Sequence, residues 1–182
     1  MPPKINRKLN LVIPIDGTTR GTVYVHSTPI SLEVFEQHFE VIARAHAAIY
    51  RQGQAILSGP RIAAMQIKRA ADELGLREQI DGGLFPEIER LTNVVALEEG
   101  RGWIPVPYHE AKSWLDADDR SEVDNAIAFF IIASAVMLRH MLPSVLGLMS
   151  SLWGAQTTSL NCTEYAASLA TSTQPDPTRA AA

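Results

Sequence analysis

The sequence has one cysteine, Cys162, in 182 residues, so no internal disulfide can form and a reducing compartment is expected. It has no excess of positive charge. With a formal net charge of -4 it offers little to neutralise a phosphate backbone, and nucleic acid is not expected as a partner. The apolar run Ala126 to Leu138 holds 13 residues before Arg139. A bilayer span needs about 20, so no membrane partner is expected. The start lacks the charged region, apolar stretch and cleavage site of a secretory signal, and a cytoplasmic protein is expected. Asn161-Cys162-Thr163 matches a glycosylation sequon but carries no weight without such a signal. No internal repeat is present.

The motifs of chemistry are also missing. His109-Glu110 could open a zinc-protease helix, but Ser113 stands where the second histidine ligand belongs. Asp116, Asp118 and Asp119 look like the start of a calcium loop until Arg120 takes the fifth position and Ser121 the place of the turn glycine. Gly100-Arg101-Gly102 lacks the third glycine of a dinucleotide loop, and no phosphate-binding Gly-Lys-Ser or Gly-Lys-Thr occurs. His26, His38, His46, His109 and His140 are dispersed, and nothing beside Cys162 would lower a thiol pKa. Glu87 with Glu89 and Glu98 with Glu99 read as solvated carboxylates. No enzyme, cofactor or metal site is expected, and no catalytic residue is assigned.

What is present is an ordinary globular composition, 46% hydrophobic and 20% charged, of a length that suits one core. Residues 1–8, with Lys4, Arg7 and Lys8, read as a basic tail; 9–170 as a single domain; 171–182, rich in Thr, Ser and Pro, as a flexible tail. The expected fold class is α+β and mainly α-helical. Leu9 to Ile15 and Gly21 to His26 predict an N-terminal β-hairpin across Asp16 to Arg20, with Pro14 at an edge or bulge. Ser31 predicts the N-cap of a helix reaching Gln52 and stopped by Gly53, with Phe35, Phe39, Ile42, His46 and Ile49 on one buried stripe and His46 packed and hydrogen-bonded. Pro60 predicts the first position of a second helix that buries Ala63, Ile67, Ala70 and Leu74 and ends at Gly75. Asp81-Gly82-Gly83 predicts a break before a short helix carrying Leu84, Ile88 and Leu91. Asn93 to Leu97 and Trp103 to Val106 predict a second small hairpin, made irregular by Pro105 and Pro107, and His109 to Leu115 a brief helix. Thr163 to Leu169 predicts a short final helix.

The segment Asp116 to Trp153 is the most informative. Its acidic start suits the positive end of a helix dipole. Ala126 to Leu138 is then apolar all round except for Ser134, and Pro143 opens another apolar helix with Val145, Leu146, Leu148, Met149, Leu152 and Trp153. A helix apolar on every face is either central in its own fold or covered by a partner.

Five stretches carry a resemblance to the tail assembly chaperones of long-tailed (siphovirus-type) bacteriophages: Leu11 to Ile15, Thr22 to Ser31, Arg90 to Asn93, Glu122 to Phe130 and, most specific, Ser151 to Glu164. The resemblance spans most of the chain. It implies a protein that binds the tape-measure protein in the host cytoplasm, keeps its apolar helices soluble and helps recruit tail-tube protein during tail morphogenesis. It implies no reaction centre and is compatible with a homo-oligomer. On this reading Ala126 to Trp153 supplies the core and part of a contact surface, with Phe129, Phe130, Leu146, Met149, Leu152 and Trp153 as candidate partner contacts. The alternative is a structural minor tail or connector component that stays in the virion tail.

Overall fold

A computed structural model describes residues 9–51, 55–137 and 140–172. The expected basic tail lies outside them, as does the expected flexible tail apart from residues 171 and 172, which close the last helix. Gln52 and Gly53 lie outside them too.

The fold is α+β and mainly helical, and it begins with the expected hairpin of β1 (Asn10–Thr18) and β2 (Gly21–Ser27). Val12, Ile13 and Ile15 in β1 and Thr22, Val23 and Val25 in β2 are β-branched and favour the strands. They reach further into the turn than Asp16 to Arg20 suggested: after an irregularity past Ile15 the ladder resumes with Thr18 opposite Gly21, leaving Thr19 and Arg20 as the connection. The second hairpin, β3 (Thr92–Glu98) and β4 (Gly102–Pro107), also forms. β2 pairs with β3, so the two hairpins make one antiparallel sheet, ordered β4-β3-β2-β1-β5. Pro105 and Pro107 sit on the edge strand β4, where a missing N–H breaks no inner ladder. The opposite edge, β5 (Gln156–Thr158), lies in a polar stretch with no strand signal of its own and pairs only with Asn10 to Val12. Pro14 therefore falls where β5 has ended, on the open edge of β1.

Ser31 caps α1 (Leu32–Gln37), its Oγ accepting from the Val34 N–H at 3.3 Å. The helix expected to run on to Gln52 is instead interrupted at His38 (φ −113°, ψ 16°) and resumes as α2 (Phe39–Arg51). The interruption resets the helical phase. Val41, Ile42, Ala45 and Ile49 face inward, while Phe39, expected in the stripe, is 53% exposed and packs edge-on against Phe35.

α3 (Ala55–Leu74) starts a turn earlier than expected, so Pro60 lies inside it rather than at its head. Ala63, Ile67, Ala70 and Ala71 form its buried side. After α4 (Arg77–Gln79) the chain does not break at Asp81-Gly82-Gly83 but passes through a π-helical turn, Ile80–Leu84, straight into α5 (Phe85–Arg90). Buried Ile80 and Leu84 anchor this turn, and Arg77 clamps it by donating to Asp81 at 2.8 Å and to Asp72 at 3.0 Å. A short α6 (Tyr108–Ala111) continues as a 3-10 turn, Lys112–Trp114.

α7 (Ala117–Val136) is capped by Asp116, whose carboxylate accepts from the Asp119 N–H at 2.8 Å. From Ala126 to Ala133 every residue is buried, because α2, α3, α8 and β1 surround it. The helix apolar on all faces is thus the centre of its own fold. Helix α8 (Leu142–Trp153) carries Pro143 in its first turn and ends at Gly154, whose φ of +62° suits glycine. α9 (Cys162–Ser172) opens with a reciprocal capping box: Asn161 Oδ1 accepts from the Glu164 N–H, and Glu164 Oε2 from the Asn161 N–H, each at 2.9 Å. It lies on the sheet face opposite the other helices, where Tyr165 and Ala166 cover Val12 and Val95. The molecule is a sheet between a thick helical layer and one thin one.

Candidate partner surface

Phe129 and Phe130 are 1% and 0% exposed on α7, and Leu146 and Met149 on α8 are also buried, so these candidate contacts belong to the interior. Leu152 is 47% exposed. Trp153 is half-buried, and its indole N–H donates to Glu122 Oε2 at 3.0 Å, while Arg61 donates to the other oxygen at 3.3 Å. The surface left by the expected set is the end of α8.

That end rims a small cleft of about 200 Å³ between Ile13 to Asp16 of β1, Asp119 to Ala126 of α7, and Trp153. Asp16, Asp119 and Glu122 make it acidic. Burial, then the neighbouring Asp116, Glu122 and Asp118, holds the Asp119 carboxyl above its ordinary range. Three segments far apart in sequence, Leu11 to Ile15, Glu122 to Phe130 and Ser151 to Glu164, meet here. Thr22 to Ser31 and Arg90 to Asn93 join the same unit: the Thr92 hydroxyl donates to the Ile88 carbonyl at 2.8 Å and accepts from Ser27 Oγ at 3.1 Å, and the Leu160 carbonyl accepts from Asn10 at 2.8 Å and His26 at 3.1 Å. Stretches far apart in sequence thus close one side of the sheet.

A larger groove of about 750 Å³ opens between α3, α5, α6 and α7. One wall is Arg61, Ala64, Met65 and Lys68, the side of α3 turned away from its buried stripe; the other is Ala117, Arg120, Ser121, Asp124 and Asn125 on α7. The walls are tied at one end: Asn125 Oδ1 accepts from the Ala64 N–H at 3.0 Å, and its amide donates to the Ser121 carbonyl at 2.8 Å. Tyr108 closes the floor, donating to Asp124 at 2.8 Å, and burial beside that carboxylate raises its pKa far above the ordinary phenol value. Lys112 pairs with Glu89 at 2.9 Å, and Asp81 with Arg77. Lys68 lies 5.5 Å over the Phe85 ring with no carboxylate in ion-pair range among the described residues. Arg120 donates to the Leu115 carbonyl at 3.2 Å, and its buried Nε has no protein partner. Met65, 56% exposed, stands on the rim. The sequence reading missed this groove, since its walls meet only in the folded chain; an exposed methionine beside the α3 stripe was the available hint.

Groups able to do chemistry lie apart. Burial pushes the Cys162 thiol up to about 11, away from a nucleophilic thiolate. Desolvation lowers the pKa values of His26, His38 and His46. His46 packs 4.5 Å from the Tyr50 ring, but its buried Nε2 has no hydrogen-bond partner, which corrects the expectation of a hydrogen-bonded ring. Among the described residues no three His, Cys, Asp or Glu side chains are placed to hold a metal ion, and no helix is long and apolar enough to cross a membrane. No protein-family model matches the chain, and no curated protein or solved structure matches it either.

Proposed function

We propose that this protein is an assembly factor that holds another chain by surface contact, and that it serves as a tail assembly chaperone for the tape-measure protein of a long-tailed bacteriophage, helping to recruit tail-tube subunits in the host cytoplasm. The observation that carries the reading is the open groove of α3 and α7, which combines an exposed methionine, half-buried apolar side chains and charged rims. Such a surface suits an apolar helix that must be kept soluble. The five resembling stretches support the phage assignment, and three of them meet around β1 and the end of α8.

Co-expression with tape-measure fragments from the same genome tests it. A chaperone co-purifies with a fragment and raises its soluble yield; no co-purification and unchanged solubility overturn the reading. Mass spectrometry of purified virions supplies the second arm. Absence from the particle supports a chaperone, and stoichiometric retention supports a minor tail or connector component instead.

A further inference from the structure

We propose that the groove between α3 and α7 is the seat of an acidic amphipathic helix from the partner chain, an inference that rests on the assembly-factor reading and names the surface and the chemistry it recognises. The walls are two helix faces. Arg61, Ala64, Met65 and Lys68 stand at the three-and-four spacing of one α3 side, and the α7 wall from Ala117 to Ala128 covers about 16 Å of helix axis, the length of about three turns. A third helix laid between them would rest on Met65, Phe85 and Ile88, continuing the helical layer at a gap in its packing.

The charge of that helix follows from what the groove leaves unpaired. Arg61 is engaged by Glu122, Lys112 by Glu89 and Asp81 by Arg77, while Asp124 accepts from the neutral Tyr108 hydroxyl and keeps its negative charge. Lys68 and Arg120 remain, one on each wall, without carboxylate partners among the described residues. Arg120 is only partly satisfied within the protein, its Nε being buried without an acceptor. Two cations, one on each wall, outweigh the single Asp124 carboxylate and favour a helix that brings carboxylates to the groove.

The full chain is titrated with two synthetic helical peptides of about three turns, leucine on one face and either glutamate or lysine on the other, followed by fluorescence anisotropy. The glutamate peptide binds about tenfold or more tightly than the lysine peptide. Lys68→Glu and Met65→Asp, both at exposed positions, each weaken it by about tenfold while thermal unfolding is unchanged. Equal binding of both peptides, no binding of either, or unaltered affinity in both variants overturns the proposal. Complete competition by citrate also overturns it, since the groove would then take a small anion. The broader reading is judged separately. If both variants still solubilise a tape-measure fragment as the parent does, the groove proposal falls and the chaperone reading stands; if the parent binds the acidic peptide and no fragment, the reverse holds.

Discussion

A Cβ built on Gly59 of α3 would lie 2.7 Å from Cε2 of Phe129 on α7 and 3.1 Å from Cγ2 of Ile49 on α2. Three helices therefore meet at a point with room for a hydrogen atom and no more. Phe129 is 1% exposed and Ile49 equally so, and neither can swing away into solvent. Gly59→Ala gains about 1 kcal/mol of helix propensity but forces an overpacked contact of about 1–3 kcal/mol, so net destabilisation is expected. Urea unfolding of the parent, Gly59→Ala, and Gly59→Ala with Phe129→Leu checks it. The smaller partner should restore part of the loss, and an alanine variant more stable than the parent by the full propensity gain of about 1 kcal/mol would refute the close contact.

Asn125 joins α3 to α7 by a side chain rather than by apolar packing. Its Oδ1 takes the Ala64 N–H, within α3 and one turn beyond Pro60. Asn125→Ala removes this acceptor and should lower stability by about 0.5–1.5 kcal/mol. Asn125→Asp retains an acceptor and should lose less. Hydrogen exchange at Ala64 reads the bond directly: exchange in the alanine variant as slow as in the parent would exclude it.

The hairpins could be read in the sequence because Thr22 to Val25 and Asn93 to Leu97 carry their own period and propensity. The apolar character of Ala126 to Ala133 was equally plain, and so was the possibility that this helix is central. The discrepancies come from tertiary effects. Gly59-Pro60 reads locally as a helix start, yet Gly59 is there because Phe129 needs the space. Gly82-Gly83 reads as a break, yet an alanine Cβ at Gly83 would come within 3.2 Å of the His38 ring, so a glycine admits that ring to a continuous helical turn. β5 has almost no signal of its own and forms because Asn10 to Val12 leave an edge to pair with. The groove, lined by two helices about 60 positions apart in the chain, had no local period to reveal it.

Leu152 and Phe129 separate surface from core among the expected partner contacts. Leu152→Ser removes a side chain that is 47% exposed and should change stability by less than about 0.5 kcal/mol. Phe129→Ala empties a filled interior and should lower stability by about 3–5 kcal/mol. If the end of α8 touches a client, Leu152→Ser weakens co-purification without unfolding the protein. Thermal melts beside pull-downs distinguish the cases, and a large melting shift in Leu152→Ser would contradict its surface placement.

His26 should make stability depend on mild acid. Its ring is 1% exposed, and since the Leu160 carbonyl can only accept, Nε2 carries the proton at 3.1 Å; Nδ1 is buried with no hydrogen-bond partner. Asn93 on β3, opposite it in register, and Tyr165 on α9 are its polar neighbours, and neither supplies a negative charge to hold a protonated ring. Desolvation therefore sets its pKa below the ordinary value, as it does for His38 and His46. An unfolded histidine takes up a proton near pH 6.5, whereas the folded ring refuses it until lower pH. Stability is thus full above about pH 6.5 and falls as acid is added, by at most about 1.4 kcal/mol per pH unit for one histidine, until the folded ring is itself protonated. Urea unfolding between about pH 7.5 and 5.5 isolates these groups, because ordinary carboxylates titrate lower. His26→Gln keeps a donor for Leu160 and should flatten the slope by its share, leaving those of His38 and His46. A slope unchanged in His26→Gln would mean that the ring is already accessible to protons in the folded state, and that α9 does not seal this face of the sheet.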